Sequence, residues 1–139
     1  MRAYLLGGVM VAGLLLAGTS LKAHHSFAAE FDSNKPVKLT GVVTKVEWTN
    51  PHVWFYVNVK DEKTGEVTNW GAEMGPPHGL QRRGWRRETL KIGEQVTVEG
   101  SLAKNGSKRM NARTVTLVST GGRPGEALDA ASSERGNNQ

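Results

Sequence analysis

Apolar and polar residues alternate through the middle of this chain, and the alternation sets its elements. From Leu39 to Trp48 the apolar positions are 39 and 43, then 46 and 48. The change of parity predicts a strand with a bulge or sharp bend near Thr44 and Lys45. Asn50-Pro51 breaks it. His52 to Lys60 alternates cleanly, with Val53, Phe55, Val57 and Val59 on one face and Trp54, Tyr56 and Asn58 on the other. Beyond the loop Asp61–Gly65, a third strand is predicted over Glu66–Met74, with Trp70, Ala72 and Met74 sharing a face. Gly75-Pro76-Pro77 stops it. Gly79–Leu90 predicts a short helix anchored by Leu80 and Trp85 and weakened by Gly84. Strands over Gln95–Ala103 and Met110–Val118 flank Asn105-Gly106, a strong hairpin signal.

Three strands, a short helix and two further strands, with the first strand bent, predict an all-β fold with one short helix. The best match is a small five-stranded OB-like barrel. Another small barrel or sandwich is the runner-up. A barrel mostly removes the exposed edges that five short strands leave in an open sheet.

The ends of the chain read differently. A positively charged start is followed by the uncharged apolar run Leu5–Ala17 and then by small and polar residues to Ala23. That order predicts a signal peptide over residues 1–23, with cleavage after Ala23 and a cut after Ser20 as the competitor. The run is short for a bilayer, so no stable membrane span is expected after cleavage, and the protein is expected in the periplasm or secreted. Residues 24–35 form an N-terminal arm in which Phe27 and Phe31 lie one helical turn apart. Residues 36–118 are the expected domain. Residues 119–139, polar and poor in apolar side chains, read as a disordered tail. The chain has no cysteine, so no disulfide supports the domain in an oxidising compartment. Removing Arg2 and Lys22 from the 18 basic residues leaves 16 against 13 acidic ones, a net charge of +3. That permits but does not demand an anionic partner.

Candidate chemistry is sparse. The sequence has no cysteine nucleophile, Gly-x-Ser-x-Gly elbow, phosphate-binding glycine loop or His-Glu-x-x-His, and it reads as a binding protein rather than an enzyme. Glu73 near His78 is the one pair from which an acid–base site is conceivable. A cut after Ala23 makes His24 the mature terminus, where one residue's amine and imidazole chelate a metal, with His25 or His52 adding nitrogen. Nitrogen ligands of this kind suit copper. Trp54 and Tyr56 face away from the expected core and can stack rings, unless Phe27 and Phe31 of the arm cover them. Arg82, Arg83, Arg86 and Arg87 would make a charged helix side, and Lys104, Lys108 and Arg109 flank the last hairpin. An anionic envelope glycan, or an envelope protein bound through the tryptophan face, is the alternative partner to a metal ion. Export argues against nucleic acid.

Several segments together resemble a known family: His24-His25-Ser26-Phe27, Glu47-Trp48-Thr49-Asn50-Pro51-His52-Val53-Trp54-Phe55, Arg82-Arg83-Gly84-Trp85-Arg86-Arg87 and Val98-Glu99-Gly100. They are similar to a family of small exported bacterial proteins catalogued only as a domain of unknown function. The resemblance covers roughly residues 24–118. It implies export and a small β-barrel and brings no activity with it.

Overall fold

In the computed structural model, residues 26–118 and 125–134 are described. The elements in chain order are α1 (Phe27–Glu30), β1 (Phe31–Glu47), β2 (Trp54–Lys60), β3 (Val67–Glu73), α2 (Pro77–Arg82), β4 (Gln95–Ala103), β5 (Arg109–Leu117) and β6 (Ala127–Asp129). β1 is long because it serves two neighbours. Val42–Glu47 pairs with β2, and Phe31–Val42 pairs with β4. The expected bulge is present, as a register shift between Val43 and Lys45. β2 pairs with β3, β4 with β5, and a parallel pairing of β3 with β5 closes the ring 1-2-3-5-4-1. This is the OB-type arrangement that the order of elements predicts.

Inside the ring lie Val43, Phe55, Val57, Ala72, Val96, Val98, Met110 and Val115, all buried. They are the inward members of each alternation, and burying a side chain of this size contributes about 1.5–3 kcal/mol. α2 closes one end through Leu80, and Trp85 follows it into the core while its Nε1 donates to the Asp129 carbonyl at 2.8 Å.

Three expectations are corrected. The helix predicted over 79–90 spans only Pro77–Arg82, because Gly84 adopts φ +89 and turns the chain away. The arm is part of the sheet, since Phe31 and Asp32 pair with Ala103 and Leu102. Within the stretch read as a disordered tail, residues 125–134 are ordered against the ring. β6 pairs with Thr114–Thr116, and Ala130 and Ser132 are buried. The tail's low apolar content misleads here, because this segment docks through backbone hydrogen bonds, Ala130 to Arg113 and Gly75 to Ala130, more than through large side chains.

Candidate functional site

Residues paired across neighbouring strands point to the same face of the sheet, so the register reads out the outer surface row by row. One row is Lys45, Tyr56, Gly71 and Arg109; the next is Glu47, Trp54, Glu73 and Asn111. Trp54 and Tyr56 therefore stand outside, as their alternation predicts. Gly71 makes room for them: a Cβ there would sit 3.2 Å from Tyr56 Cε1 and 3.6 Å from Trp54 Cζ3.

Each of these rings carries a cation. The Arg109 guanidinium lies over Trp54, with Cζ 4.6 Å from the ring centroid, and Lys45 Nζ lies 5.5 Å from the Tyr56 centroid. At the ring's edge, Lys108 Nζ lies 5.2 Å from the Trp70 centroid. Such distances give a cation–π attraction of about 0.5–1 kcal/mol on an exposed surface. Tyr56 is tied further by its hydroxyl, which donates to Glu47 Oε2 at 3.3 Å, while Lys45 and Glu47 form an ion pair of 2.5 Å. The hydrogen bond between them raises the Lys45 pKa and lowers that of Glu47.

Beside Trp54 and Arg109 is a cavity of about 190 Å³. The arm (Ala29, Glu30, Phe31) and the turn between β4 and β5 (Lys104, Asn105, Ser107) form its other walls. The arm thus frames Trp54 rather than covering it. Lys104 is held in place by donation from its Nζ to the Ala28 carbonyl at 2.6 Å. Ser107 Oγ is buried without a hydrogen-bond partner, an arrangement that is costly unless a ligand or water completes it.

Behind Trp54 the outer face turns polar. Glu73, only 5% exposed, lies with Oε1 3.5 Å from His52 Nδ1 and accepts from Asn111 Nδ2 at 3.1 Å. Asn111 Oδ1 in turn accepts from Ser132 Oγ at 2.5 Å. Burial, with the Glu30 charge adding to it, pushes the Glu73 carboxyl up to about 7. Burial also lowers the His52 pKa, against the pull of Glu30. With His52 held neutral, the contact is not a full ion pair near pH 7.

The residues predicted as a site separate into groups. Trp54 and Tyr56 share the outer aromatic face, whereas Lys108 lies against Trp70, which pairs with the inward Val57 and belongs to the other face of the sheet. Arg82, Arg83, Arg86 and Arg87 do not join them and do not form one helix side, because α2 ends at Arg82. Arg83 bonds the Gly79 carbonyl and faces Asp129 at 3.5 Å, and Arg86 bonds the Trp85 carbonyl. Asp129 pairs with Thr114, five residues along β5 from Arg109, or roughly 16 Å of strand. His24 and His25 lie outside the described residues, and His52 meets Glu73. Glu73 has His52, not His78, as its neighbour, and His78 is exposed. Among the described residues no group of three His, Cys, Asp or Glu side chains is placed to hold a metal ion. Arg109, Lys45 and Glu30 are the members that alternation does not mark, since their roles depend on which strands become neighbours.

Strand order and closure make this a small OB-type β protein with an aromatic, cationic outer face. The chain belongs to the family of unknown function DUF6152, whose model matches residues 12–112. No curated protein matches it. Among solved structures it is similar to the mitochondrial single-stranded DNA-binding protein Rim1 of S. cerevisiae, at 11% identity and a TM-score of 0.49, over 63% of this chain and 96% of that one. That likeness corrects one expectation: with a single-stranded DNA-binding protein among the structures it resembles, the exclusion of nucleic acid as a partner does not stand. The likeness is one of fold and assigns no ligand to this chain.

Proposed function

We propose that this is an exported, non-catalytic binding module for an acidic glycan, received in the cavity beside Trp54. The observation that carries the reading is the stack of Arg109 on Trp54 in the lining of that cavity. It offers a flat face and a fixed positive charge together. A sugar ring packs its C–H face on such a surface, and its carboxylate pairs with a planar guanidinium. The remaining lining is polar and suits a sugar. Glu30 and Asn105 can bond the hydroxyl groups of a sugar. Export is read from residues 1–23, which lie outside the described residues.

The test is calorimetric titration with oligogalacturonate in chelator-containing buffer, beside a single-stranded oligonucleotide of similar length. Trp54→Ala and Arg109→Ala are each expected to weaken oligogalacturonate binding by about tenfold, the equivalent of about 1.4 kcal/mol. Equal or tighter binding of the oligonucleotide, or affinity indifferent to both substitutions, contradicts the reading.

A further inference from the structure

The turn between β4 and β5, which walls the glycan cavity, holds the one Asn-Gly step in the sequence, Asn105-Gly106. Asparagine before glycine is chemically labile, because no side chain on the next residue shields its backbone nitrogen from the asparagine amide. The turn leaves that chemistry open. Asn105 and Gly106 are both exposed. Gly106 adopts φ +75, and nothing lies within 4 Å of where its Cβ would stand. Among the described residues no hydrogen bond engages the Gly106 N–H. The Ser107 N–H instead donates to Asn105 Oδ1 at 3.0 Å. That bond polarises the side-chain carbonyl and is in place to stabilise charge on Oδ1 as Cγ becomes tetrahedral. Lys104, Lys108 and Arg109 flank the step, and their charges favour loss of the Gly106 amide proton.

The other asparagines of the described residues lack this combination. Asn50 precedes Pro51, which has no N–H. Asn58, Asn69 and Asn111 lie within β2, β3 and β5, where the ladder holds the backbone. Asn34 lies within β1 and precedes the long side chain of Lys35.

We propose that Asn105 is a modification site, converting spontaneously to aspartate and isoaspartate and so changing the charge of the cavity wall. The Gly106 nitrogen gives its proton to water and bonds to Asn105 Cγ. The Cγ–Nδ2 bond breaks and ammonia leaves, giving a five-membered cyclic imide. Water opens the imide at either carbonyl. One opening restores the backbone with an aspartate side chain, and the other routes the chain through the β-carbon as isoaspartate. One water is consumed, one ammonia is released, and nothing is oxidised or reduced. The turn is tied to the arm, since Lys104 donates from its backbone N to the Glu30 carbonyl at 2.8 Å and from Nζ to the Ala28 carbonyl. The new carboxylate therefore joins Glu30 in the lining and opposes an acidic ligand. That consequence rests on the glycan reading, whereas the modification does not.

The test incubates the full chain at mildly alkaline pH and reads each asparagine by peptide mass spectrometry. Conversion at Asn105 is expected at least about tenfold faster than at Asn34, Asn58, Asn69 or Asn111. Asn105→Gln, which would need a six-membered imide, is expected to remove the early release of ammonia. An unchanged Asn105, or equal rates at these sites, overturns the proposal. Fresh protein, aged protein and Asn105→Asp are then titrated with oligogalacturonate, with circular dichroism to check that each is folded. Binding is expected to weaken roughly threefold or more in Asn105→Asp, and in aged protein in step with its converted fraction. Conversion without weakening overturns the link to the cavity. No binding by fresh protein contradicts the glycan reading instead, and the mass spectra still decide the modification.

Discussion

Glu73 brings a carboxyl group to a place that water barely reaches, and the consequence is a pH-dependent cost. Its ordinary pKa of 4.5 is pushed up to about 7, chiefly by burial and next by Glu30. The folded chain therefore holds this proton more tightly than the unfolded chain. The stability contributed is fully present below about pH 4.5 and is lost as pH rises through about 7. The gap corresponds to about 3 kcal/mol. His52 works in the opposite sense. Its lowered pKa makes folding costlier as pH falls below 6.5, equally in wild type and in a Glu73 variant. In metal-free buffer, Glu73→Gln is thus expected to match wild type near pH 4.5 and to exceed it by up to about 3 kcal/mol at pH 8. Denaturant melts of both proteins at the two pH values check this. A difference that does not change with pH contradicts the assignment. Gly71 is the other residue-scale test. Gly71→Val puts a branched side chain against Tyr56 and Trp54, and is expected to weaken oligogalacturonate binding about tenfold through displacement of the rings.

At the scale of elements, the two chain ends are structural. Phe31 opens β1, is buried, and sits opposite Ala103. Phe31→Ala is expected to cost about 3 kcal/mol in a urea melt, the range for emptying a packed aromatic site; a loose arm would lose almost nothing. Ending the chain before Gly125 removes β6, the partner of Trp85 Nε1 and the support of Asn111. A loss of roughly 2–4 kcal/mol is expected, since several buried polar groups lose their partners at once. An unchanged melt would show that the segment only rests on the ring. Strands and faces were legible because alternation is local: Val53, Phe55 and Val57 against Trp54 and Tyr56, and the parity change before Lys45. The docking of residues 125–134 was not legible, because it rests on backbone pairing and on polar side chains such as Ser132, which leave no apolar pattern. Nor was the early stop of α2 at Arg82, where a positive φ at Gly84 decides what i, i+4 spacing could not.

At the scale of the whole molecule, ring closure builds the candidate site. Trp54 and Arg109 are far apart in sequence and meet because β3 pairs with β2 on one side and β5 on the other, with Gly71 between Tyr56 and Arg109. The aromatic half of the site could be read from the sequence, while its cations depended on that closure. The four arginines of 82–87 looked like the stronger electrostatic signal and lie elsewhere. Charges at Arg109 and Lys104 reach an acidic ligand partly through solvent, so binding is expected to weaken markedly between about 50 mM and about 500 mM salt. Calorimetry at both concentrations checks this, and salt-independent affinity would contradict it.

Entry of ligand beside Trp54 is read out by backbone and indole amide NMR during titration with oligogalacturonate. Shifts are expected at the Trp54 indole, Gly71, Lys104, Ser107 and Arg109, with the 82–87 segment unmoved. Shifts confined to Arg82–Arg87, or no shifts under saturating ligand, would contradict that mode of entry.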